Sequence, residues 1–455
     1  MTTQPFRVKS APEEKPPKLP SGLAEKLMYF AIVLMPFQQA FTIPVGFPLK
    51  FSEIFGALAL ILFLVERRTT VHRFAGAGLL AVFALLLTAS TIVNLIEPLA
   101  PYPFDGYERG LTFDILQYFG LGAFVLLLAW QAGTRLGPDW IARGVNIAIK
   151  LAALYCFVQL ALGLVGQAQL LAAVQGVTQV GTTFGTSVVR NGPFLEGNLL
   201  GFFAGLALFT GMRLKDRVAV WTAIATLLFS QSTSAYLSLA AGGLLLLVVR
   251  PSTRVATAGG ALGFLAIATY TFVPAVSRFV NMQLGKLGLG DTNGFSANIE
   301  FSMRARSTNI ETGFGIASQN PFVGVGPGRY GYWYRDHTDF SDLPVGFALA
   351  LKRPLANNAY VQIMSELGFF AAIVFVIFLV YLLWRVRRSD RSYLAMGIFV
   401  VVALNTSPAW TFIPIWIAIA YLASVKADVV VDPEPLRRKP GLQAKYRPLV
   451  RPVRR

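Results

Sequence analysis

Apolar runs of about twenty residues recur along this chain between residues 23 and 425, separated by short polar or basic turns. Each run is long enough to cross a bilayer as a helix, at roughly 20 mostly apolar residues per crossing. In hydrocarbon the backbone has to satisfy its own hydrogen bonds, so the runs read as helices. Only 14% of the 455 residues are charged and 55% are hydrophobic, where a soluble domain carries about 25% charged residues. The mean hydropathy is +0.57. A polytopic, all-α membrane protein follows, forming one integral domain over residues 23–425.

Single spans are expected near 25–41, 51–65, 75–95, 111–131, 140–164, 198–212, 255–275 and 359–384. The run 218–249 reads as a helical hairpin broken by SQSTS at 230–234, and the last hairpin is broken by NTSPAW at 405–410. That parse gives about twelve transmembrane helices. Residues 1–22 and 426–455 are polar or basic and proline-rich, and read as disordered tails. The first tail has no convincing small-residue cleavage site ahead of the first span. No internal repeat is evident, which counts against a transporter built from two matching halves.

Charge sets the orientation. Lys and Arg collect in alternate connections: the N-tail, ERRTTVHR, MRLKDR, RPSTR, RVRRSDR and the C-tail. The positive-inside rule then makes both termini cytoplasmic and places 166–197 and 277–358 outside. The longer of these, a partly helical extracytoplasmic loop, lies between helices 9 and 10. Much of the net charge of +17 belongs to this pattern, so nucleic-acid binding is the weaker reading. One cysteine, Cys156, excludes an intrachain disulfide, and two histidines are too few for an ordinary His/Cys metal site.

The two outer segments hold the residues that could do chemistry. Arg190 precedes an Asn-Gly-Pro turn and reads either as an interfacial arginine or as an anion clamp, since a guanidinium holds phosphate through paired hydrogen bonds. Glu196 and Asn198 stand at the start of the following span, and the acid Glu196 is expected to face a cavity. Arg304 and Arg306, two apart, cannot share a helical face, so at most one of them points into a common site. Two prolines and three glycines in NPFVGVGPGRY, 320–330, make a rigid turn where something approaches the backbone closely. Gly326, Gly328 and Gly331 also fit a dinucleotide fingerprint, but without a preceding strand and parallel sheet that match is set aside.

Tyr330, Tyr332, Trp333 and Tyr334 read as an interfacial belt, and would equally suit sugar rings or an isoprenoid chain. His337 reads as a surface histidine near Asp339 and Asp342, or as a general base. Lys352 and Arg353 add positive charge before the chain re-enters the membrane. Asn358, Gln362 and Glu366 stand four apart and form a polar stripe at the mouth of that span. Lys150 and Asp114, in or near spans, are candidate helix-packing partners.

The R-N-G-P-F segment, the N-P-F-V-G-V-G-P-G-R-Y turn and the N-N-A-Y-V-Q-I-M-S-E-L-G helix start, in this order, resemble the O-antigen ligase and O-antigen polymerase family. The resemblance implies a helical, metal-independent glycosyltransferase of the bacterial inner membrane that uses no cofactor. Its substrates would be an undecaprenyl-pyrophosphate-linked glycan donor and a glycan acceptor, in contact with membrane lipid. A flippase and chain-length regulators are the implied protein partners. Family arginines that bind pyrophosphate map onto Arg190 and onto Arg306 or Arg304, with Arg306 preferred. Arg329, Asn357, Asn358 and Tyr360 complete the expected substrate-binding set. Where family ligases carry a catalytic histidine, this chain has Asn357, which cannot act as a base. His337 or Glu366 would then be the catalytic group, or pyrophosphate departure would dominate. That substitution favours a polymerase of lipid-linked repeat units over a ligase, with a transporter or flippase as the reading from another class.

Overall fold

The computed structural model describes residues 20, 22–44, 48–66, 73–96, 111–167, 169–175, 180–183, 186–249, 253–285, 296–338, 354–387, 389–407 and 409–425. Residues 1–19 and 21 of the expected N-terminal tail, the whole of the C-terminal tail, Asp339, Asp342, Lys352 and Arg353 lie outside these residues.

The helices are α1 (Leu23–Leu34), α2 (Phe51–Val65), α3 (Ala77–Ile96), α4 (Leu111–Gln131), α5 (Gly137–Leu164), α6 (Gln169–Gln175), α7 (Gly197–Leu214), α8 (Arg217–Ser230) and α9 (Thr233–Val249). They continue as α10 (Thr253–Phe272), α11 (Pro274–Gly285), α12 (Ser296–Gln319), α13 (Tyr330–His337), α14 (Ala359–Leu367), α15 (Phe369–Val386), α16 (Arg391–Ala403) and α17 (Ile413–Ser424). The only departures from an all-helical chain among the described residues are two short antiparallel ribbons. They pair β1 (Ile43–Pro44) with β2 (Pro48–Leu49), and β3 (Val180–Thr183) with β4 (Thr186–Val189). Thr and Val in the second ribbon suit extended backbone.

Helix α3, the stretch running through α4 and α5, α7 and α15 are long and apolar enough to cross a membrane, and α2, α8, α9, α16 and α17 are shorter apolar helices. The chain is a multi-pass membrane protein, with four stretches of full spanning length and several shorter apolar helices among the described residues. At the TRLGPD connection Ala132–Leu136 form a π-turn, and Gly137 at φ +72° takes the chain into α5. Contacts show that α4 and α5 run in opposite directions. Gly122 lies against Trp410 and Gly133 against the Ala420 carbonyl, so α4 follows the course of α17. Trp140 packs on Tyr29 and Tyr155 on Phe37, so α5 follows α1.

The bundle therefore has two ends. One gathers basic side chains: Arg135 lies over Phe63, Arg213 over Tyr393, and Arg385 donates to the Ala423 carbonyl. Lys150 reaches the same end and bonds Asp216 at 2.7 Å, while Asp114 accepts from the Tyr332 hydroxyl. These two residues thus take separate partners and do not pair with each other. The opposite end carries the second ribbon, the α8–α9 break and the segments that follow α11.

The span expected over 359–384 is broken. Helix α14 stops at Leu367, Gly368 takes φ +90°, and α15 resumes at Phe369. A break frees carbonyls that lipid cannot solvate, so protein has to satisfy them. The glycine-proline turn does so: Val325 N–H donates to the Ser365 carbonyl and Gly326 N–H to the Glu366 carbonyl, both at 2.9 Å. The Ser90 hydroxyl adds a bond of 3.0 Å to the Glu366 carbonyl, and Phe369 N–H returns one of 2.8 Å to Pro321. What approaches this turn closely is the chain's own broken helix.

Candidate functional site

Three charged side chains from separate parts of the sequence converge at the end opposite the basic one. Arg190 follows β4, Glu196 is the N-cap residue of α7, and Arg306 lies on α12. Glu196 acts electrostatically on both guanidinium groups, and Arg306 acts on Arg190. Arg190 also donates through Nη1 to the Ser230 and Gln231 carbonyls, each at 3.4 Å. Those are carbonyls at the C-terminus of α8, where a cation is favoured by the helix dipole. An acid at the N-terminus of α7 is favoured for the same reason.

Burial dominates the electrostatics. It lowers the pKa of Arg190, which the charge of Arg306 lowers further and Glu196 opposes. Burial likewise lowers Arg306, against the pull of Glu196. The Glu196 carboxyl is raised by burial, while Arg306 and Arg190 draw it back down. One carboxylate acts electrostatically on two guanidiniums in a poorly solvated place, so a further anion arriving there meets excess positive charge.

The polar floor of this cluster is the α8–α9 break. Ser232 donates to Asn198 Oδ1 at 3.2 Å and lies 3.0 Å from the Ser234 hydroxyl. Tyr236, one turn further along α9, interacts with Arg190. Sequence reading gave Tyr236 no role; its signal was the polar interruption just before it in an apolar run.

The other expected site residues divide differently. Arg304 is exposed on α12, while Arg306, two residues on, is half-buried at the cluster. Arg329 is fully buried under the glycine-proline turn, near Gly326, and burial brings its pKa down to about 10, opposed by Tyr332. The structure therefore places Arg329 in the packing of the turn. Tyr330, Tyr332 and Tyr334 do not form an outward belt: all are buried, and Tyr330 and Tyr334 pack with Ile316, Val325 and Val361 between α12, α13 and α14.

Asn357 sits in the left-handed region at φ +53°, a conformation that asparagine tolerates better than most residues. Asn358 caps α14, its Oδ1 accepting from Tyr360 N at 3.0 Å and Val361 N at 3.2 Å. Tyr360 donates to the Val401 carbonyl at 2.8 Å and so ties α14 to α16. Each of Asn358 and Tyr360 thus has a structural task. Asn358→Ala is expected to cost about 1 kcal/mol, the usual cost of a lost N-cap. A lowered thermal midpoint of the detergent-solubilised protein would show it.

Glu366 is buried with both oxygens engaged, Oε1 by Gln362 at 3.0 Å and Oε2 by the Trp410 indole at 3.1 Å. The Trp410 backbone N–H reaches Gln362 Oε1 at 3.3 Å. The expected polar stripe therefore holds the NTSPAW segment, a partner that sequence reading missed because it lies far along the chain. His337 Nδ1 is 3.1 Å from the Trp333 carbonyl, and Nε2 has no hydrogen-bond partner among the described residues. Its ring lies against Gly315 of α12. Gly315 is nine residues from Arg306, or about 13 Å along a helix. His337 is thus not grouped with the two arginines. Among the described residues, no group of three or more His, Cys, Asp or Glu side chains is placed to hold a metal.

Comparison with known proteins adds an independent line. Residues 218–376 match the family described as O-antigen ligase, from α8 through Arg306, the glycine-proline turn and the broken helix. No curated protein matches the chain. That family carries out ligase- or polymerase-type transfer in lipid-linked polysaccharide assembly. Over residues 218–376, about a third of its length, the chain is similar to the O-antigen ligase family.

Proposed function

We propose that this protein polymerises polyprenyl-pyrophosphate-linked oligosaccharide repeat units, with Arg190 and Arg306 as the clamp on the donor pyrophosphate. The observation that carries this reading is the convergence of those two guanidiniums, one inside the family segment and one outside it, around Glu196. An acceptor hydroxyl attacks the anomeric carbon of the donor sugar, the bond from that carbon to the pyrophosphate oxygen breaks, polyprenyl pyrophosphate leaves, and the clamp neutralises the charge that develops on it. Two fixed arginines supply this electrostatic stabilisation without a metal. The hydroxyl proton passes to a base or to solvent as the bond forms; Asn357 cannot take it.

Orientation supports the same reading. The basic end of the bundle faces the cytoplasm under the positive-inside rule, which turns the arginine cluster to the outer face of the bacterial inner membrane. A lipid-linked donor delivered by a flippase arrives on that face, and a chain-length regulator would act there.

The family description favours a second reading, ligation of finished polymer to an acceptor. A strain lacking this protein separates the two. Accumulation of lipid-linked single repeats is the expected result and supports polymerisation. Accumulation of lipid-linked long chains would replace it with ligation.

A further inference from the structure

At the basic end of the bundle, remote from the arginine cluster, a cavity of about 390 Å³ opens between α1, α5 and the α7–α8 turn. Tyr29, Trp140, Arg143, Asn146, Leu214 and Asp216 line it, together with Ile147. Its volume lies within the range of small-molecule sites, roughly 300–1,000 Å³. The family chemistry proposed above makes no use of it.

The charges of the lining leave one cation uncompensated. Asp216 is engaged twice, accepting from Lys150 at 2.7 Å and from Ala219 N–H at 3.0 Å as the cap of α8. Lys150 thus balances Asp216, and Arg143 is the remaining charge. Arg143 lies over the Trp140 ring at 5.6 Å, and its buried Nε has no hydrogen-bond acceptor. Asn146 has its Oδ1 occupied by the Thr210 hydroxyl at 2.8 Å, so its amide NH₂ is its donor end at the cavity wall, where it also interacts with Asp216. A guanidinium, an amide donor and the aromatic rings of Tyr29 and Trp140 form an anion site with apolar walls.

The cavity also continues into a lipid-facing surface. Ile147, at its edge, is 40% exposed, and Leu154 and Val158 follow on the same face of α5 at 60% and 41%. Beside Asp216, Val218 and Trp221 of α8 are exposed too. A polar, cationic head site at the mouth of an apolar stripe matches a phospholipid better than a free ion, because only a lipid uses both parts. We propose that this cavity binds the phosphate head group of an anionic phospholipid in the leaflet at the basic end, with its acyl chains along Ile147, Leu154 and Val158.

Native mass spectrometry of the full chain in nonionic detergent tests this, after incubation with phosphatidylglycerol, with phosphatidylethanolamine, or with phosphatidylglycerol plus millimolar inorganic phosphate. The wild type is expected to retain one phosphatidylglycerol and little phosphatidylethanolamine. Arg143→Gln should lower retention about tenfold, the effect of losing one charge-assisted contact. Ile147→Glu, on an exposed position that leaves packing intact, should lower it to a similar degree, and Arg387→Gln, outside the cavity, should not. Equal retention by Ile147→Glu and wild type would overturn the proposal, whether or not Arg143→Gln folds. So would equal retention of phosphatidylethanolamine, and displacement by inorganic phosphate would assign the cavity to a free anion.

Discussion

Replacing Arg306 by alanine is expected to reduce glycan transfer by about a hundredfold or more, the scale of losing a preorganised group that stabilises developing negative charge. Arg190→Ala should show a loss of the same order. The argument rests on where the two guanidiniums lie. Both are desolvated, each repels the other, and Glu196 offsets only part of their charge. A pyrophosphate entering between them gains attraction in a medium of low dielectric and relieves that repulsion. Lysine keeps the charge but not the planar pair of donors, so Arg306→Lys should fall between wild type and alanine. Arg304, exposed two residues away, is the internal control, and Arg304→Ala should stay within about twofold of wild type. His337→Gln should do the same, because His337 stands about 13 Å along α12 from Arg306. The measurement is polymer formed from purified lipid-linked donor, with thermal midpoints taken in parallel. Midpoints matter most for Arg190, which also bonds the last carbonyls of α8. Wild-type rates in both alanine variants would remove the clamp.

Much of this arrangement is legible in the sequence wherever the signal is local. Apolar length marks the spans, basic turns mark one end, and SQSTS marks the reversal between α8 and α9. The two-residue spacing of Arg304 and Arg306 implies that at most one can face a shared site; Arg304 is exposed, and Arg306 is half-buried within electrostatic reach of Glu196. Signals made by distant partners are not legible. Tyr330 and Tyr334 look like surface aromatics because the residues that bury them, Ile316 and Val361, come from two other helices. Glu366 looks like a free carboxylate because its indole partner, Trp410, lies 44 residues away. Gly368 gives no warning of a break, since a lone glycine is tolerated in an apolar helix. The helix stops there because a distant turn supplies the hydrogen bonds that a continuous helix would otherwise have made for itself.

That dependence gives the second large expectation, a collapse of the fold when the turn and the break are forced apart. Gly324 and Gly368 have φ of +64° and +90°, where a side chain costs about 1–2 kcal/mol before any contact is considered. A Cβ on Gly324 would stand 2.4 Å from the Glu366 carbonyl carbon, and one on Gly368 would stand 2.2 Å from the Phe322 oxygen. Both neighbours are backbone and cannot swing aside, so overpacking adds about 1–3 kcal/mol or more. Separating the segments also strands the Ser365 carbonyl, whose donor is Val325, and leaves the Glu366 carbonyl with Ser90 but without Gly326. Each buried group left unpaired costs about 1–3 kcal/mol further. The sum is a large part of the roughly 5–15 kcal/mol that holds a protein folded. Gly324→Ala and Gly368→Ala should therefore yield little monodisperse protein on extraction, or a much lower thermal midpoint. Gly263→Ala meets nothing within 4 Å inside α10 and should match or exceed wild type, since alanine favours the helix. A wild-type midpoint for Gly324→Ala would mean that the turn is not what closes the broken helix. The glycine variants should lose fold and transfer together, whereas Arg306→Ala should lose transfer alone, so the two experiments distinguish the frame of the site from its charge.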